Sequence, residues 1–180
     1  MPRYRRASRS RSAQNTVWQS LTHQARLTVD ASAVNDTING VLFETVPSVG
    51  GDTFEDEHIL ERIRGAMCHN GDQGSGFNNT WFPFSLAMVK VPAGLTIQNS
   101  DAWSLFDNSK ADDYIFRVDH VCDASLNNAA PNWHLVDSKA KRKFAVGDRI
   151  VCLWSVIAPT TTEFVIDVAV NMRVLWKLRD

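Results

Sequence analysis

The stretch Phe164–Leu178, FVIDVAVNMRVLWKL, decides the fold class. Phe164, Ile166, Val168, Val170, Met172, Val174, Trp176 and Leu178 take every second position, with Asp167, Asn171, Arg173 and Lys177 between them. Successive strand side chains point to opposite faces, so this period of two describes a strand with one core face and one polar face. Runs rich in β-branched and aromatic residues predict further strands at about 26–30, 40–46, 59–68, 81–91, 114–122, 141–146 and 148–157. Turn-forming residues separate them at 47–52, 70–79, 99–101, 126–132, 147–148 and 159–162. Seven or eight strands, uneven loops and no strand–helix–strand alternation predict an all-β sandwich of two sheets.

Two segments depart from that pattern. Asp52 with Glu55 resembles a capping box, and Ile59, Ile63 and Met67 recur at helical spacing, so 52–67 reads either as strand or as helix. Residues 100–107, SDAWSLFD, read as a helical turn inside a long connection.

The net charge of −1 conceals an uneven distribution. The first twelve residues, MPRYRRASRSRS, carry Arg3, Arg5, Arg6, Arg9 and Arg11 and no acid. Setting these aside leaves 14 of the 19 basic residues against 20 acidic ones, a basic tail on a mildly acidic body. Up to residue 25 the larger apolar side chains are only Val17, Trp18 and Leu21, too few to offset the entropy of ordering. Residues 1–25 are therefore expected to form an arm, disordered at least through Ser12, and residues 26–180 a single domain.

Catalytic signatures are weak. Cys68, Cys122 and Cys152 are far apart and odd in number, which predicts buried free thiols rather than a disulfide framework. No nucleophile–base–orienter arrangement stands out. Cys68-His69 and the pair His120 and Cys122 lack the second ligand pair a zinc site would show, so no metal is expected. The loop Asn70-Gly71-Asp72-Gln73-Gly74-Ser75-Gly76 lacks the Lys-Ser/Thr ending of a P-loop and the ligands of an EF-hand. No cofactor is expected either; the acidic runs Glu55-Asp56-Glu57 and Asp112-Asp113 would offer calcium ligands only where two subunits meet. No apolar run of membrane-spanning length and no secretory signal are present, which predicts cytosolic synthesis and no membrane partner. The expected class is not an enzyme.

Five arginines among small polar residues form a flexible polycation, able to neutralise phosphates and release counterions without reading bases. A second basic cluster, Lys139, Lys141, Arg142 and Lys143, enters a predicted strand; it reads as a phosphate contact or as a solvated edge that discourages aggregation. Of six tryptophans, Trp154 and Trp176 fall in predicted strand cores, and Trp103 and Trp133 in predicted connections, where a subunit interface would bury them.

The order of these features carries a resemblance. An Arg-rich tail, Glu61-Arg62-Ile63-Arg64-Gly65 leading into a strand, Lys141-Arg142-Lys143-Phe144 with Gly147-Asp148 before an apolar strand, and Arg173-Val174-Leu175-Trp176-Lys177-Leu178 at the end resemble the short capsid proteins of small circular Rep-encoding single-stranded DNA viruses. The resemblance implies an eight-stranded antiparallel jelly roll that packs with copies of itself into the smallest icosahedral shell. Its arm would face the genome, single-stranded DNA or, in small RNA viruses of the same design, RNA. The chain would reside in the virion and, during assembly, in host cytoplasm and nucleus, with a nuclear import factor as a further partner. The alternative is a cellular β-sandwich nucleic-acid-binding module with a basic tail. The arm is shorter than in many such capsids: about sixty copies of five arginines neutralise only about 300 phosphates, fewer than the roughly 540 nucleotides that encode this chain. Lys139 to Lys143 are the first candidates for the additional charge.

Overall fold

The computed structural model describes residues 16–72, 81–97, 114–123, 132–139 and 141–178. The arginines of the arm, the 100–107 segment with Trp103, and Asp112-Asp113 lie outside them. Among the described residues eleven strands run in order: β1 Thr16–Val29, β2 Thr37–Thr45, β3 Ser48–Val49, β4 Asp52–Thr53, β5 His58–Asp72, β6 Trp81–Val91, β7 Tyr114–Asp123, β8 Asn132–Ser138, β9 Arg142–Phe144, β10 Arg149–Ile157 and β11 Phe164–Leu178. The first sheet has the order β1-β11-β5-β8, with β9 also pairing β5; the second has the order β2-β10-β6-β7. All pairings are antiparallel. Eight principal strands thus divide four and four, each sheet drawing strands from both halves of the chain, which is the jelly roll.

The core lies between the sheets. From β11 it takes the alternate residues Phe164 to Trp176, from β5 Leu60, Ile63 and Met67, and from the second sheet Phe82, Phe84, Leu86, Met88, Ile150, Cys152 and Trp154. The central strands β6 and β10 are buried on both faces, because Ala87, Val89, Val91, Val151 and Leu153 form a second apolar cluster with Tyr114, Val41 and Ile97 on the far side. Strands covered on both faces read as continuous apolar runs, which is why β6 and β10 lack the alternation of β11. A polar row crosses this sheet at Asn39, Ser155, Ser85 and Asp119. The Ser155 and Ser85 hydroxyls donate to Asn39 Oδ1 and Asp119 Oδ1, each at 2.5 Å, so both buried serines are satisfied.

Several expectations are corrected. β1 begins at Thr16, ten residues before the expected Arg26, so residues 16–25 belong to the first sheet and not to the arm. Their inward row, Val17, Gln19, Leu21, His23 and Ala25, contains two polar residues and so hid the period. Segment 52–67 holds no helix: it is β4, a short connection at 54–57 and the first part of β5, and its helical spacing has a local cause. The register against β11 slips between Leu175 and Trp176, inserting a bulge between Leu60 and Arg62 that brings Leu60 and Ile63 to the same face. The turn residues at 47–52 form a small hairpin, with Gly50 and Gly51 at φ 63° and 99° supplying the left-handed turn between β3 and β4. β8 was not expected, and Trp133 lies in it rather than in a connection. Cys152 is a buried free thiol, as expected, whereas Cys68 is only half-buried. Among the described residues no helix is long and apolar enough to cross a membrane.

Candidate nucleic-acid interface

The outward residues of the first sheet form rows set by its register. One row runs Thr16, Lys177, Ile59, Lys143; the next Trp18, Leu175, Arg62; the third Ser20, Arg173, Arg64, Asp137; the fourth Thr22, Asn171, Ala66, Leu135. Lys143, Lys177, Arg62, Arg64 and Arg173 therefore share one end of one sheet face, with Lys139 beyond Asp137 at its edge. The carboxylate of Asp137 grips Arg62 through both oxygens, with Nε at 2.6 Å and Nη2 closer still. The Arg62 hydrogen bonds hold the Asp137 carboxyl below its ordinary value, with Arg64 and Lys139 adding to the pull.

Arg64 and Arg173 stand directly opposite each other on neighbouring strands, and among the described residues neither has a carboxylate within ion-pair distance. Like charges in that relation oppose folding. Between them the face dips into a depression of about 600 Å³ lined by Arg64, Ala66, Leu135, Asp137, Asn171 and Arg173. Gly65 lets the strands approach at this point, since a Cβ there would lie 2.6 Å from Met172 Cα. Leu135, 88% exposed, and Trp18, 45% exposed, are the large apolar side chains of these rows that stand open to solvent, Leu175 and Ile59 being half-buried. The opposite end is neutralised, Arg26 lying 3.8 Å from Asp167.

The Lys139 to Lys143 cluster divides. Lys139, Lys141 and Lys143 are exposed, but Arg142 turns inward beside Phe144 and its Nη2 donates to Tyr114 O at 3.4 Å, bridging the sheets at their edge. β9 is anchored from below: Lys90 Nζ donates to Lys143 O at 2.7 Å and pairs with Asp148 at 2.8 Å. Asp148 also accepts from Ala145 N at 2.8 Å and Ala93 N at 3.2 Å. Burial alone would raise the Asp148 carboxyl, but Lys90 and these two amides outweigh it and hold it below the ordinary aspartate value. A depressed folded-state pKa contributes stability that is present above the unfolded value near 3.8 and lost as pH falls through the lower folded value. Asp148→Asn is expected to destabilise by about 1–3 kcal/mol at neutral pH. In urea titrations at a series of pH values, its gap to the parent protein should close at the acid end.

Sequence reading missed Arg62, Arg64, Arg173 and Lys177 as one set because they come from two distant strands. The rows could be assembled only from the register. It also did not foresee that His69, His120 and His134 meet, one ring nitrogen of each lying within 4.8 Å of the others'.

Fold and face together define a single jelly roll with one cationic sheet face. Among solved structures, the chain is similar to one titled as the structure of infectious bursal disease virus Gx strain. The match has 6% identity and a TM-score of 0.45, over 91% of this chain and 32% of that one. This chain thus spans about a third of that protein's length. It is also similar to BFDV capsid protein: a 60-mer at 8% identity and TM-score 0.38, over 94% of this chain and 96% of that one, and a decamer at 9% identity and 0.37, over 92% and 99%. No family model matches the chain, and no curated protein matches it in sequence.

Proposed function

We propose that this chain is a viral capsid subunit that self-assembles into a small icosahedral shell and packages nucleic acid. The basic face of the first sheet and the arm are its contacts with the genome. The observation that carries the reading is the Arg64–Arg173 opposition on a face whose first row includes Thr16, the residue at which the arm joins the sheet. Two cations held face to face, neither within ion-pair distance of a carboxylate among the described residues, gain from an anion between them, and the five arginines at 3–11 precede Thr16 in the sequence. Counting Lys143, Lys177, Arg64 and Arg173 with the arm raises the neutralising capacity of about sixty copies from about 300 to about 540 phosphates. Single-stranded DNA is the genome the sequence resemblance favours, and RNA satisfies the same electrostatics. In this reading the chain passes through host cytoplasm and nucleus, with the arm read by an import factor, before residing in the virion.

Trp18 among Arg62, Arg173 and Lys177 supports a second reading, a cellular nucleic-acid-binding module, because an exposed ring among cations is a stacking platform. Electron microscopy of the purified protein, with absorbance at 260 and 280 nm on the same fraction, separates the two. Closed shells rich in nucleic acid are expected. A small discrete oligomer across several salt and pH conditions would overturn the capsid reading in favour of the module.

A further inference from the structure

At one end of the sandwich the inward rows of three strands finish in histidine. On β5 the row Ile63, Gly65, Met67 continues to His69; on β8 His134 shares the inward face with Val136; on β7, in the other sheet, Phe116 and Val118 lead to His120. His69 is 1% exposed, and the other two are half-buried. His69 Nε2 and His120 Nδ1 lie 3.0 Å apart. The His69 and His134 rings are parallel with centroids 5.1 Å apart, and the His120 ring is 4.7 Å from each.

Packing alone does not account for this cluster. His69 Nδ1 and His134 Nε2 are buried and have no hydrogen-bond partner among the described residues. Such orphaned polar atoms oppose folding, and apolar side chains would fill the same space without them. Burial first, and then the proximity of His120 and His134, pushes the His69 pKa down to about 3. Three neutral imidazoles suit a borderline divalent transition cation, whereas calcium and magnesium require oxygen ligands.

We propose that His69, His120 and His134 form a three-histidine site for zinc or a closely related transition cation, tying β7 of one sheet to β5 and β8 of the other. Tetrahedral zinc with bonds of about 2.0–2.1 Å sets its ligand nitrogens about 3.3 Å apart. The His69 Nε2–His120 Nδ1 edge, a hydrogen bond of 3.0 Å in the metal-free chain, is already close to that spacing; loading moves its proton to the far nitrogen of the donor ring and draws the third ring inward. His120 and His134 are only half-buried, so solvent reaches the cluster and water can complete the coordination. Asp119 is engaged by Ser85 and by Arg117 Nε at 2.6 Å and is not a fourth ligand. The site stands independently of the capsid reading.

The full-length protein, stripped with a chelator and dialysed, would be titrated with cobalt(II) and then zinc. One cobalt per chain with the intense visible bands of four-coordinate geometry, displaced by zinc, is the expected result. His120→Gln and His134→Gln should each weaken zinc binding beyond the roughly 10–100-fold that loss of an outer-shell partner produces. His23→Gln, remote in the fold, should leave it unchanged. Circular dichroism of the metal-free variants establishes that they fold, and the cobalt spectrum of the parent protein tests the site without any substitution. Sub-stoichiometric binding by the parent protein, or undiminished binding by a folded His120→Gln or His134→Gln, would overturn the proposal.

Discussion

Trp176→Ala should lower the unfolding free energy by about 4–5 kcal/mol, the upper end of the range for emptying an aromatic site. Trp176 is fully buried, and its ring lies within 5.0–6.0 Å of the rings of His58, Phe144 and Phe54, centroid to centroid. Its Nε1 donates to Gln19 Oε1 at 2.8 Å. Gln19 passes that bond on, its Nε2 donating to Val46 O at 3.1 Å and Ser48 Oγ at 3.2 Å. One side chain thus fills the core end of β11, satisfies a buried amide of β1 and indirectly steadies the β3–β4 hairpin. The alanine variant loses the packing and also strands Gln19 Oε1. Trp176→Phe keeps most of the volume and loses the hydrogen bond, so about 1–3 kcal/mol is expected. Urea unfolding with an unchanged dependence on denaturant measures both; a loss below about 2 kcal/mol for alanine would show that the cavity collapses around the site.

The same residues show how far the sequence could be read. β11 was legible because one face is core and the other solvent over its whole length, and Trp176 was correctly placed in the core. β1, its partner over fourteen register positions, was not, since its inward row contains Gln19 and His23. Gln19 is tolerated there only because Trp176, 157 residues later, supplies the acceptor's partner, a non-local arrangement that local hydrophobicity cannot register. The bulge in β5 had the opposite effect and imitated a helical period. For the candidate site, the clustered charges of the arm and of Lys139 to Lys143 were visible as runs. Arg64 and Arg173 become neighbours only through strand pairing, and Arg142, counted with the cluster by its position in the chain, turns inward by alternation.

Replacing Arg3, Arg5, Arg6, Arg9 and Arg11 together with alanine should reduce the salt dependence of single-stranded nucleic-acid binding by about 3.5 units in the slope of log K against log salt, at about 0.7 per phosphate contact. Removal of Arg64 and Arg173 should reduce it by about 1.4. Affinity should fall alike across sequences, because none of these contacts reads a base. The two sets differ in what they do to the fold. Alanines in the arm leave the sandwich unchanged, whereas Arg173→Thr removes a like-charge pair across β5 and β11 and restores a good strand former. It should therefore raise stability by about 0.2–1 kcal/mol while weakening binding. A residue retained for structure cannot behave in this way, since its removal would cost stability. If Arg173→Thr instead destabilises the protein and leaves the salt slope intact, the opposed arginines belong to the sheet's own packing and the arm alone carries the phosphate contacts. If both quantities change as expected, the chain tolerates electrostatic strain at Arg64 and Arg173 in the free subunit that bound phosphate relieves.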